Sequence, residues 1–159
     1  MKRILLFCFV LLVCMTACQK NVQHFTGDYS YKISGSVTVE GLIDEYDKML
    51  TPRIGQMNIV RVNDSKTRVM ITMNESGGRA YVCYGTVSGN RLTIEPYTFT
   101  AEVNLNATET GVYDVNAYGD GELTDDMLVI HQVWNGVKTT DEDVVFQGND
   151  ILIVAKQNS

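Results

Sequence analysis

From residue 25 onward, apolar and polar residues alternate in short runs rich in Val, Ile, Tyr and Thr, interrupted by Gly, Asn and Asp. A period of two sends successive side chains to opposite faces, which is the pattern of antiparallel strands with one face buried. The runs predict eight or nine strands, over residues 27–39, 56–62, 68–73, 79–88, 91–94, 97–105, 111–124, 127–134 and 143–155, the last divided at Gly148 and Asn149. Pro52 and Pro96 are the only prolines, so few runs are confined to sheet edges.

An eight-residue phrase occurs three times, at 87–94, 123–130 and 146–153: an apolar residue, a two-residue turn, then further apolar residues at fixed spacing. Gly89-Asn90 and Gly148-Asn149 suit primed turns, where the first or both central residues need positive φ, and Asp125-Asp126 is a weaker version. The offsets are irregular, so the phrase marks recurrent hairpins in a meander and not a solenoid. Residues opposite one another across a two-residue turn share a face. Val87 then faces Leu92 and Gly85 faces Ile94, with Cys83 and Tyr81 on the same face. Likewise Leu123, Gly121, Gly119 and Ala117 share a face with Leu128, Ile130, Gln132 and Trp134. That second face is poor in volume, so either Trp134 folds over the small residues or the interior holds a cavity.

The segment 41–50 breaks the strand pattern. Leu42, Ile43, Tyr46, Met49 and Leu50 fall at helical spacing, Asp44, Glu45 and Asp47 lie opposite, and Pro52 follows. This predicts a short amphipathic helix between the first two strands, either capping one end of a barrel or packing outside it.

The first residues carry a different pattern. Lys2 and Arg3 precede an apolar run from Ile4 to Met15, which ends in Thr16, Ala17 and Cys18. The run falls short of the roughly 20 apolar residues a membrane span needs, and it has the order of an export leader. Cys8 follows Phe7 and Cys14 follows Val13, whereas Cys18 alone follows a small residue that a peptidase pocket accepts.

Met15-Thr16-Ala17-Cys18 resembles the lipobox of bacterial lipoproteins, whose cysteine is acylated and becomes the mature N-terminus. The resemblance implies a signal peptide over 1–17, lipidation at Cys18, a tether over 18–24 and a folded domain over 25–159. One acyl chain binds a bilayer marginally and several hold stably, so the chains the family carries imply a membrane anchor. In Gram-negative members an Asp after the cysteine favours the inner membrane. Gln19 here implies the outer membrane of the cell envelope.

Removing residues 1–17 leaves 142 residues, enough for one core, with 11 basic and 19 acidic side chains and a net charge near −8. An acidic domain argues against nucleic acid and anionic headgroups as partners. Lipidation of Cys18 leaves Cys83 with no intramolecular disulfide partner, and a strand cysteine with no nearby cation reads as a small buried hydrophobe.

Phe25-Thr-Gly-Asp-Tyr29, a first strand with a longer excursion after it, and successive hairpins resemble the calycin or lipocalin-like β-barrel lipoproteins of Gram-negative bacteria. Gly27, Asp28 and Tyr29 stand at the family's first-strand Gly-x-Trp. The resemblance implies an all-β, antiparallel up-and-down meander barrel whose interior or mouth holds a small apolar molecule.

Catalytic chemistry has no frame here. His24 and His131 are the only histidines, and neither has a zinc partner at a useful spacing. Asp114, Asp120, Glu122, Asp125 and Asp126 are the densest acids, but they lack a calcium-loop frame and suit hairpin turns. No nucleophile elbow, phosphate loop or dinucleotide fingerprint is present, so no enzyme, cofactor or metal site is expected. The leading expectation is a lipid-anchored binding module with ligand contacts from the inward residues Tyr29, Tyr31, Tyr81, Gln132 and Trp134. The alternative is an envelope interaction subunit with a filled barrel, docking a protein partner on the outward face of Met127, Val129 and Val133.

Overall fold

The computed structural model describes residues 22–41, 46–104 and 110–158. Cys18 and the leader lie outside the described residues. The strands in chain order are β1 (Gly27–Ser34), β2 (Ser36–Glu40), β3 (Tyr46–Met49), β4 (Arg53–Arg61) and β5 (Arg68–Glu75). They continue with β6 (Ala80–Ser88), β7 (Arg91–Asn104), β8 (Thr110–Thr124), β9 (Met127–Lys138) and β10 (Asp141–Gln157). From β4 to β10 each strand pairs antiparallel with the next, and β1 pairs with both β4 and β10. That double pairing closes the meander into a barrel and leaves no free edge at the first and last strands.

Burial follows the alternation. In β6 every second residue, Tyr81, Cys83, Gly85 and Val87, is buried, and its neighbours are exposed. The same inward row on the other strands builds one core, in which Tyr29, Ile59, Ile71, Leu92, Tyr113, Leu128, Ile130, Phe146 and Ile153 are fully buried. The expected face pairs hold: Val87 opposes Leu92 and Gly85 opposes Ile94. Leu123, Gly121, Gly119 and Ala117 oppose Leu128, Ile130, Gln132 and Trp134. The small residues receive their neighbours: Leu92 lies over Gly85, Ile130 over Gly121, and the Phe146 ring over Gly136.

Several boundaries differ from the sequence reading. The single strand expected over 27–39 breaks at Gly35 into β1 and β2, which both pair with β10. Gly35 has φ of 150°, and a Cβ there would lie 2.8 Å from the Asp150 carbonyl oxygen, so only glycine suits this bend. The break matches a register shift in β10 between Gly148 and Ile151. There the hairpin expected at Gly148-Asn149 is replaced by a bulge inside one continuous strand. Two of the three repeated phrases are hairpins, with φ of 64° at Gly89 and 55° at Asp125. The third is not, because β9 reaches Lys138 and the chain has already reversed at Thr139 and Thr140.

The strands expected at 91–94 and 97–105 are one strand, β7, irregular between Ile94 and Tyr97. Of the helix expected over 41–50, residues 42–45 lie outside the described residues, and Tyr46–Met49 is strand β3, antiparallel to β2. Unpaired backbone groups on the outer edge of β2 offer those four residues a ladder, which outweighs their helical spacing. Residues 22–25 form a helical turn with Val22 and Phe25 buried, so the last three residues of the expected tether belong to it.

Candidate functional site

At the end of β1 remote from its start, inward side chains change from aliphatic to aromatic and polar. Arg53 opens β4, two steps before Gly55 and four before Met57 on the same face, and Glu75 ends β5 two steps after Met73. β6 contributes Tyr81, β7 Tyr97 and Phe99, and β9 Gln132 and Trp134.

Trp134 and Gln132 are each 1% exposed. The indole Nε1 donates to Gln132 Oε1 at 2.9 Å. Gln132 Nε2 in turn lies 3.2 Å from the Tyr97 hydroxyl. Phe99 meets the edges of Tyr81 and Trp134, with ring centres 4.9 and 5.1 Å apart, and stacks on Tyr97 at 5.6 Å. The guanidinium carbon of Arg53 lies 5.4 Å from the centre of the Trp134 ring, a cation–π approach.

Arg53 also holds the charges. Its Nη1 is 3.1 Å from Glu75 Oε1 and donates to Oε2 at 3.4 Å, and it reaches the Tyr81 hydroxyl at 3.5 Å. The Glu75 side chain is 6% exposed and that of Arg53 20%, so the pair sits just inside the surface. Glu75 Oε1 has the charge contact without hydrogen-bond alignment, and the buried Tyr31 hydroxyl has no hydrogen-bond partner among the described residues. Burial, and then Glu75, push the phenols of Tyr31 and Tyr81 well above the ordinary tyrosine range. Burial does the same for Tyr97. These groups are neutral at physiological pH, so Tyr31 enters the site as a hydroxyl able to donate and accept.

All five residues expected to contact a ligand are buried and inward. Tyr81, Gln132 and Trp134 share the aromatic cluster, and Tyr31 faces its Arg53–Glu75 pair. Tyr29 stands apart: its hydroxyl donates to the Phe25 carbonyl at 3.0 Å, on the side of the helical turn. Gln132 has a role within the chain, as hydrogen-bond acceptor for the buried Trp134 indole. Arg53, Glu75, Tyr97 and Phe99 complete the cluster and are absent from the sequence reading. The signal was present in the alternation, since Arg53 extends the Gly55 and Met57 row and Glu75 extends the Met73 row.

Cys83 is buried beside this cluster, and burial pushes its thiol up to about 12, the opposite of a reactive cysteine. His131 is on the outside, its Nδ1 3.2 Å from Asp150. No grouping of three His, Cys, Asp or Glu side chains fit for a metal occurs among the described residues. Met127, Val129 and Val133, expected to be outward, are half-buried on the outer face.

No family model matches this chain, and no curated protein matches it. Among solved structures, a redesigned β-barrel is similar, at 9% identity and a TM-score of 0.42, over 87% of this chain and 96% of that one.

Proposed function

We propose that this protein is a lipid-anchored binding module whose ligand is small, mostly apolar, and carries one hydrogen-bonding group. The observation that supports it most directly is the buried Tyr31 hydroxyl, which lacks a hydrogen bond within the described residues and lies beside the Arg53–Glu75 ion pair. Each unsatisfied buried group costs about 1–3 kcal/mol, and a ligand that supplies a donor returns that cost as affinity. The surrounding rings of Tyr81, Phe99 and Trp134 provide apolar contact for the rest of such a molecule. Arg53, whose side chain is 20% exposed, stands where a ligand arrives from solvent.

The chain has a single tryptophan, so Trp134 emission reports on this site alone. Titration with medium-chain alcohols and fatty acids is expected to change that emission saturably, and Tyr31→Phe is expected to weaken the response about tenfold, the equivalent of one lost hydrogen bond to a buried group. Native mass spectrometry of protein purified from its host is expected to show a retained small molecule. A flat titration together with an unadorned mass rejects the reading.

A further inference from the structure

The ladder between β6 and β7 covers only part of either strand. The two strands pair only from Ser88–Arg91 to Gly85–Ile94. Beyond that point β7 is irregular between Ile94 and Tyr97, and the irregularity contains Pro96, which has no N–H to give. Residues 80–84 and 97–104 then run on without pairing to each other, although each is paired on its other side, to β5 and to β8.

Hydrogen-bond phase shows which groups are left over. Glu75 N donates to Arg79 O and Val87 N to Thr67 O, so odd-numbered residues of β6 bond to β5, and even-numbered ones direct their N–H and C=O toward β7. Thr139 N donates to Val112 O, so even residues of β8 bond to β9 and odd ones to β7. Past the irregularity those odd residues oppose Tyr97, Phe99, Ala101 and Val103, which leaves Thr98, Thr100 and Glu102 directed toward β6. Ala80 and Val82 face Thr98 and Thr100 across a cleft of about 430 Å³. Its floor is the Tyr81–Phe99 contact. Val82 is 53% exposed. The ends are bridged by two ion pairs: Arg79 to Glu102, and Arg68 to Glu95 at 2.8 Å, the latter beside Tyr84.

We propose that this seam is a docking site for an extended peptide of a partner protein, taken up as an additional strand between β6 and β7. Two facing rows of backbone donors and acceptors match the repeat of a single β-strand, which bonds on both of its edges. β6 and β7 run antiparallel, so the guest lies antiparallel to one and parallel to the other. The bridges limit it to about four or five residues at roughly 3.3 Å each. Side chains that point inward must be small, because the Tyr81 and Phe99 rings already meet beneath, and each end offers one cation and one anion, which favours a neutral segment. This inference stands independently of the ligand proposed for the interior.

Amide hydrogen exchange on the full-length domain tests it, with the tetrapeptide acetyl-(Thr-Ala)2-amide as probe and an N-methylated copy as control. In the free protein the amides of Val82, Thr98 and Thr100 are expected to exchange much faster than those of Tyr81 and Ala101. At about 1 mM probe they are expected to slow by about tenfold, with no slowing by the N-methylated copy. Thr100→Pro, which removes a seam N–H and no β8 bond, is expected to abolish the protection with Trp134 emission unchanged. No slowing, or equal slowing by the N-methylated peptide, overturns the proposal. So does a seam that is protected without probe, whether at every protein concentration, which means a closed wall, or increasingly with concentration, which means a second copy.

Discussion

Arg53 binds the interior cluster together, because one guanidinium meets Glu75, the Tyr81 hydroxyl and the Trp134 ring. Removing it alone strands a carboxylate that is almost wholly buried. Arg53→Leu is therefore expected to destabilise the domain by about 3–5 kcal/mol in urea unfolding, and the double replacement with Glu75→Leu to recover most of that. Tyr29 makes the opposite case, a phenol that serves the fold and not the cluster. Burial pushes its pKa from 10.0 to about 12, so the folded state favours the neutral form. Its contribution is full below pH 10 and is lost as pH rises through 12. Tyr29→Phe is expected to cost about 1 kcal/mol at pH 7 through the bond to Phe25 and to make the alkaline loss of stability shallower. Both inward positions of the Arg53–Glu75 pair follow from counting by twos, yet a charge at the end of an apolar row, and Pro52 next to Arg53, read in sequence as the end of a strand.

At the scale of elements, the corner where β1 becomes β2 is the point of greatest backbone constraint. Gly35 bends there against the β10 bulge, and an added methyl meets both Asp150 and Ile151. Gly35→Ala is expected to lower stability by about 2 kcal/mol or more, measured by chemical unfolding, because the φ penalty and the contact add. Local sequence shows a glycine between two alternating runs but not which distant strand approaches it. Gly148-Asn149 illustrates the same limit. It carries turn chemistry as good as that of Gly89-Asn90, and only the length of the partner strand β9 decides that it becomes a bulge. Tyr46–Met49 adopts a strand for a comparable reason, a neighbouring edge that periodicity cannot reveal.

At the scale of the whole molecule, the start of β1 and the end of β10 meet at one end of the barrel. Gln157 Nε2 donates to the Thr26 carbonyl at 3.1 Å, and Asn158 N donates to the Asp28 carbonyl at 2.8 Å. Three residues separate Cys18 from Val22, a reach of about 14 Å when fully extended. If acyl chains sit on Cys18, as proposed, that end stays beside the bilayer and the Arg53 end points away from it. Cys18→Ser is expected to remove incorporation of a palmitate analogue and to release the protein from membranes while leaving its thermal midpoint unchanged. With the anchor intact, a fluorophore on Asp64→Cys, near the tether, is expected to be quenched by lipid-borne quenchers more strongly than one on Glu102→Cys. Equal quenching at the two positions argues against a fixed orientation.

The sequence by itself determined the class of fold and the sorting of side chains. A period of two is a local property, and the turns at Gly89 and Asp125 need only their own backbone angles. Those features were enough to place Tyr31, Tyr81, Gln132 and Trp134 on the inner face. What only the tertiary structure decided depends on strands distant in sequence. β1 closes on β10, Gly35 lies against Asp150, Arg53 finds Glu75 and Trp134, and the β6–β7 ladder ends before Pro96. Each is a matter of register and approach between separate strands, which is set when the barrel closes.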